Sequence, residues 1–172
     1  MRNLIIGLFV SLVACGHNFA QQKQGAKADT LDEYIGVFEY VNPGNTPELT
    51  ENHYIVLTKS NDQLTGLYYG TSDEFDGERE GYLPGFFVSP MDDLQINGDT
   101  LRFVLNTTNS DFLTQPVDLK IHSTKEAQRS GYKNWDNKIA TQPKACVGLI
   151  KDSGKIFFRG ESDFLNKTFI KR

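Results

Sequence analysis

Two cysteines, one tryptophan and two methionines are all that this chain of 172 residues holds of those residue types. Cys15 lies in the leading segment, so the rest of the chain keeps a single thiol, Cys146, and has no internal disulfide to staple its fold. Stability must come from a core. The only long apolar run, Leu4 to Ala14, is too short to span a bilayer as a helix. No Gly-x-Ser-x-Gly elbow, His-Glu-x-x-His pair or phosphate-cradling glycine loop occurs. His53 and His122 stand far apart without a second cysteine, which leaves no zinc set. Lysine and arginine form no cluster along the sequence, and the overall charge is −4. That balance points away from nucleic acid and from anionic membrane surfaces as partners.

The opening residues have their own pattern. A short basic start, Met1-Arg2-Asn3, precedes the apolar run, which has the length of a signal-peptide core. Leu12-Val13-Ala14-Cys15-Gly16 then resembles a bacterial lipobox, in which a small residue precedes a cysteine that is lipidated and becomes the new N-terminus. The resemblance implies a signal peptide over 1–14 and a lipid anchor on Cys15. The alternative is ordinary cleavage after Ala20, giving a secreted protein. Both readings export the chain to the cell envelope or beyond it. Either cut removes Arg2 and leaves 17 basic against 22 acidic residues, a net of −5. Residues 15–30 are small, polar and Gln/Lys/Ala-rich, as in a flexible tether. A single domain is expected over 31–172.

That domain is rich in Phe (12) and Tyr (7), residues that suit a pleated, half-buried surface. Strands are expected from Tyr34, over His53–Lys59 and over Gln63–Gly70, the last two joined by a Ser60-Asn61-Asp62 turn. Thr71–Gly81 is dense in charge and glycine and reads as a loop. Pro84 demotes Tyr82–Val88 to an edge strand. Asn97-Gly98-Asp99 is the clearest turn, leading into alternation of Leu101, Phe103 and Leu105 against Arg102 and Asn106. Val117, Leu119 and Ile121 alternate with polar residues in the same way and predict another strand. Ser123-Thr124-Lys125-Glu126 matches a capping box and Gly131 a helix stop, so one short surface helix is expected there. Further strands are expected over Cys146–Lys151, Lys155–Gly160 and Thr168–Lys171.

About eight to ten short antiparallel strands joined in sequence describe an all-β protein, an up-and-down barrel or else a β-sandwich. Closure would dispose of two edges and favours the barrel. Tyr54-Ile55-Val56-Leu57-Thr58 followed by Gln63-Leu64-Thr65-Gly66-Leu67-Tyr68-Tyr69 is similar to the second and third strands of avidin-type barrels, and more loosely to lipocalin-like (calycin) domains. The resemblance implies a barrel. The tryptophans of the biotin site and the lipocalin Gly-x-Trp start have no counterparts, since Trp135 stands alone and Gly36-Val37-Phe38 is the nearest approach.

Three candidate sites remain. Asp73, Glu74, Asp76, Glu78 and Glu80 around Gly77 hold oxygen ligands of the kind calcium takes, but off EF-hand spacing and with Arg79 as countercharge, so a solvated turn is the expectation. Cys146 with His53 or His122 would be the thiol–imidazole pair of a cysteine-dependent hydrolase, although an alternating strand makes Cys146 a small buried hydrophobe. Tyr68, Tyr69, Tyr82, Phe86 and Trp135, with Arg79 to pair an acidic group, would form an aromatic ligand mouth, with Tyr132 and Trp135 as its lid. The sequence therefore predicts a non-catalytic envelope barrel that binds a small, partly apolar ligand and uses no cofactor. The alternative is an interaction or structural subunit of an envelope complex, meeting an envelope protein through Tyr82–Val88.

Overall fold

In the computed structural model, the described residues are 31–47, 50, 51, 53–76, 81–136, 141–152, 154–159 and 166–172. Cys15, the signal segment, the tether, and Gly77, Glu78, Arg79 and Glu80 of the acidic stretch lie outside them. Nine strands make one antiparallel sheet: β1 (Gly36–Glu39), β2 (Tyr54–Ser60), β3 (Gln63–Asp76), β4 (Gly81–Pro90), β5 (Asp92–Asn97), β6 (Thr100–Leu105), β7 (Lys144–Lys151), β8 (Lys155–Phe158) and β9 (Thr168–Lys171). The order is β4-β3-β2-β1-β9-β8-β7-β6-β5, a meander whose first strand pairs with its last. It is a nearly closed up-and-down barrel, and the sandwich alternative falls with the β1–β9 pairing.

Local chemistry sets each turn. Asn61 and Asp62 both take positive φ (50° and 60°), the two-residue hairpin geometry that matches strand twist. Gly98 (φ 60°) does the same between β5 and β6. Only Met91 separates β4 from β5, too little chain to reverse direction, so the two are one bent strand. Its first part pairs with β3 and its second with β6. The Met91 amide extends the β3 ladder by donating to the Gly66 carbonyl (2.9 Å). A bulge between Asp92 and Gln95, with Asp93 at φ 52°, then turns the strand around the barrel corner. Nine segments thus act as eight strands, which is why every neighbour can be antiparallel.

Two expectations are corrected. The stretch from Thr71 is not a loop: β3 runs on to Asp76 and pairs with β4 as far as Asp76↔Gly81. Charge and glycine report solvent exposure, whereas the ladder needs only backbone partners. Nor do residues 117–122 form a strand. Val117 is buried, and Leu119 and Ile121 pack partly buried against the outside of the sheet, so period two here marks an extended segment lying across a sheet face. The Tyr69 hydroxyl stands against both its carbonyls, Ile121 O at 2.7 Å and Leu119 O at 3.2 Å.

Helix α1 (Thr124–Arg129) forms where expected. Ser123 Oγ accepts from the Glu126 amide, and the Glu126 carboxylate accepts from the His122 amide. Gly131 at φ 93° ends it, with the Tyr132 amide returning to the Ala127 carbonyl.

Two cores result. Inside the barrel pack Phe38, Ile55, Leu57, Tyr68, Phe87, Leu101, Phe103, Leu105, Phe112, Trp135, Cys146, Ile156, Phe158 and Phe169, among others. Outside it, Tyr69, Phe86 and Val88 on β3 and β4 meet Leu113, Val117 and Ala127 of the excursion between β6 and β7. Tyr69→Phe removes the hydroxyl that pins that excursion and leaves the barrel interior alone. It should cost about 1 kcal/mol in urea unfolding, and limited proteolysis should quicken within 114–123 while the strands stay resistant.

Candidate functional site

Alternation decides what the predicted mouth residues can share. Tyr68 and Tyr69 are consecutive in β3 and point to opposite faces. Tyr68 and Trp135 lie inside the barrel, whereas Tyr69 and Phe86 lie in the outer core. Tyr82 has its backbone in β4 opposite Phe75. The structure therefore brings Tyr68 and Trp135 into one cluster, separates them from Tyr69 and Phe86, and leaves Arg79 outside the described residues.

The interior is filled by rings in contact. Trp135 lies 6.4 Å from Phe112, Phe112 5.2 Å from Phe87, and Phe87 6.0 Å from Tyr68, centroid to centroid. Tyr68 then meets Phe103 and Phe169, and both of those meet Phe158. Trp135 takes the place of a side chain at Gly85, where an added Cβ would stand 2.3 Å from its Cε3. The strip carrying Trp135 is tied to the free edge of β4 through Phe86 and Leu113, which exchange backbone hydrogen bonds of 2.9 and 2.7 Å. Burial drives the Tyr68 phenol far above its ordinary pKa, so it stays neutral.

Cys146 is part of this packing. It is 1% exposed, and burial pushes its thiol up to about 12. The thiol donates a weak hydrogen bond to the Lys144 carbonyl at 3.7 Å. A thiol held protonated in this way is a poor nucleophile.

On the outer side of β2 lies an open cleft of about 480 Å³, between Thr50, Glu51 and Tyr54 on one bank and Pro116–Leu119 with Tyr132 on the other, and Arg172 beside them. Val117, Leu119 and Pro116 supply apolar lining. Tyr132 Oη accepts from the Asp118 amide (3.3 Å), and the Asp118 carboxylate accepts from the Lys120 amide (2.8 Å), which fixes this bank. Arg172 is already engaged, since its guanidinium donates twice to the Glu39 carboxylate and lies over the Tyr54 ring. The carboxylates of Glu51 and Asp118 stand on opposite banks of the cleft.

Behind Glu51 sits His53, 2% exposed. Its Nε2 is 3.2 Å from Glu51 Oε2 and 3.0 Å from Thr71 Oγ1. An ionised carboxylate only accepts, so Nε2 carries the hydrogen and Nδ1 is left an acceptor, buried with no partner among the described residues. Desolvation, aided by the Lys167 ammonium, outweighs Glu51 and lowers the ring to about 3.

Sequence reasoning missed the cleft, apart from Tyr132. The signal was present in the nearly unbroken apolar runs Tyr54–Leu57 and Leu67–Tyr69, which mark strands buried on both faces. Among the described residues no group of three or more His, Cys, Asp or Glu is placed to hold a metal ion. No protein-family model, curated protein or solved structure matches this chain. The structure thus shows a nearly closed antiparallel barrel, and the resemblance of its second and third strands to avidin-type and lipocalin-like barrels identifies no family.

His53 makes the fold sensitive to acid. Between pH 6.5 and about 3 the unfolded chain takes up a proton that the folded chain refuses. Stability is therefore unaffected above that window and falls as pH drops through it, by at most about 1.4 kcal/mol per unit from this group. Urea midpoints taken at neutral pH and at about pH 5 should diverge more for the native chain than for His53→Gln. Equal losses in both would mean that His53 ionises while folded.

Proposed function

We propose that this chain is an exported, lipid-anchored barrel of the cell envelope that binds a small, partly apolar ligand without transforming it, in the outer cleft rather than in the barrel interior. One observation carries the reading. A cleft of about 480 Å³ stays open between β2 and the excursion, while the interior positions hold packed aromatic rings. That volume falls in the range of small-molecule sites, and the lining combines apolar walls with a few polar groups, as such sites do. The ligand has an apolar body against Val117, Leu119 and Pro116 and a hydrogen-bond-donating or cationic end toward Glu51 and Asp118, with Tyr54 and Tyr132 alongside. Export and the anchor rest on the lipobox resemblance at Cys15. The buried, protonated thiol of Cys146 weighs against the hydrolase alternative, and Cys146→Ala should leave ligand binding unchanged.

The subunit alternative loses the contact expected for it over Tyr82–Val88, because Phe86, Phe87 and Val88 are buried, and would have to use the exposed Val147, Leu149 and Ile170 instead.

Native mass spectrometry of the chain isolated from its own host, compared with its denatured mass, tests the binding reading. A stoichiometric extra mass of small-molecule size is expected. Thr50→Trp, which fills the cleft from an exposed position, should abolish it. Asp118→Asn keeps the local turn and should weaken retention of a cationic ligand about fivefold, the effect of losing one exposed charge contact of roughly 1 kcal/mol. An extra mass that survives Thr50→Trp would move the ligand elsewhere, and a bare chain would remove the binder.

A further inference from the structure

The barrel has two broad outer walls, and they are treated differently. The wall of β2, β3 and β4 lies beneath the excursion that builds the outer core. The wall of β6 to β9 carries no such cover among the described residues. Its outward positions form a grid fixed by the pairing. In the middle row Thr100, Leu149, Phe157 and Thr168 stand side by side. To one side of it Arg102 is opposite Val147, and Arg159 follows one residue past β8, exposed. On the other side Lys151, Lys155 and Ile170 are consecutive neighbours. Val147, Leu149 and Ile170 are 46, 40 and 53% exposed. Lys151 Nζ lies 5.2 Å from the centre of the Phe157 ring.

An apolar band is thus edged on both sides by cations. Among the described residues, none of Arg102, Lys151, Lys155 and Arg159 is held in an ion pair. The outward positions of β6, β7 and β8 include no carboxylate. In a chain of net charge −4, four unpaired cations gather on one wall, with carboxylates at its border, at Asp93, Asp99 and Asp152. The acidic balance of the whole chain is an average that this wall does not share.

We propose that the β6–β9 wall seats on an anionic phospholipid surface, with Arg102, Lys151, Lys155 and Arg159 meeting headgroup phosphates and Val147, Leu149 and Ile170 resting on the interfacial region. Composition favours lipid over protein. Protein interfaces are depleted in lysine and draw their binding energy from Trp, Tyr and Arg anchors. This wall offers no tryptophan or tyrosine, its aliphatics are short, its two lysines stand beside two arginines, and its one aromatic ring is half-buried beneath a lysine. Each basic side chain near an anionic leaflet adds an attraction that fades within a Debye length of about 8 Å. Acidic groups on the far walls therefore cancel little of it, whereas Asp93, beside Arg102, and Asp152, next to Lys151, border the wall itself. The inference is independent of the cleft, which opens on the β2 side.

Sedimentation of the full chain with vesicles tests it, using phosphatidylcholine alone or equal parts phosphatidylcholine and phosphatidylglycerol. Comparing the two compositions separates the wall from any hydrophobic N-terminal contribution, which is common to both. Partition into the phosphatidylglycerol vesicles should exceed that into phosphatidylcholine. The Lys151→Glu/Lys155→Glu pair should reduce that excess at least about tenfold, and Arg102→Gln/Arg159→Gln should reduce it independently. All four positions are exposed, and unchanged urea midpoints will certify the folds. Equal partition into both compositions, or an excess that neither pair of substitutions alters, overturns the proposal and leaves the wall to a protein partner.

Discussion

Everything in this molecule depends on β1 reaching β9. The ladder between them is short, with Phe38 opposite Lys171 and Glu39 opposite Ile170, yet it turns a meander into a barrel with an inside. Side-chain contacts reinforce it. Arg172 donates twice to Glu39, its amide donates to the Val37 carbonyl (2.9 Å), and Lys171 Nζ reaches the Glu33 carbonyl (2.8 Å). The charges involved are largely exposed, so each contact alone adds little. Their effect is to hold a register, because a slip of one residue would turn Phe38 and Phe169 out of the core. The partners are more than 130 residues apart, so closure is the contact with the largest loop entropy to overcome.

Once closed, the barrel must be filled. This one is packed with aromatic rings from Trp135 through Phe112, Phe87 and Tyr68 to Phe158 and Phe169. Burial in such a core raises the pKa values of Tyr68 and Cys146 and keeps both groups neutral. Polar side chains are displaced to the outside, where Glu51, Asp118 and the two tyrosines line the open cleft. Glu51 joins the two regions, because it lines the cleft and also accepts from the buried ring of His53.

Much of the fold could be read from the sequence, because barrel strands are built from local signals. Asn61-Asp62 and Asn97-Gly98 dictate their hairpins, Leu101, Phe103 and Leu105 mark an inner face, and Ser123 with Glu126 begins the one helix. What could not be read was relational. Alternation over Val117, Leu119 and Ile121 reports one wet face and one dry face, but not whether the dry face meets a neighbouring strand or the flat of a sheet. The charge of Asp73, Glu74 and Asp76 favours a loop by composition, and cannot exclude a backbone ladder to β4. The aromatic mouth failed to converge for the same reason. Tyr68 and Tyr69 are adjacent in sequence and separated by a sheet in space.

The charge of the chain obeys the same logic. A net of −4 describes the molecule seen from far away, whereas a surface one Debye length off sees one wall. Arg102, Lys151, Lys155 and Arg159 are spread over more than fifty residues of sequence, and strand pairing gathers them around Val147 and Leu149. The apolar runs of β2 and β3 answer to the excursion that covers them, while the one-sided alternation of β7 leaves its outer face to solvent. Selection for solubility alone would place mixed charges on that bare face, as acidic and basic residues mix elsewhere in the chain. Aliphatics bordered by cations of one sign are the arrangement that the proposed seat on an anionic lipid surface would use.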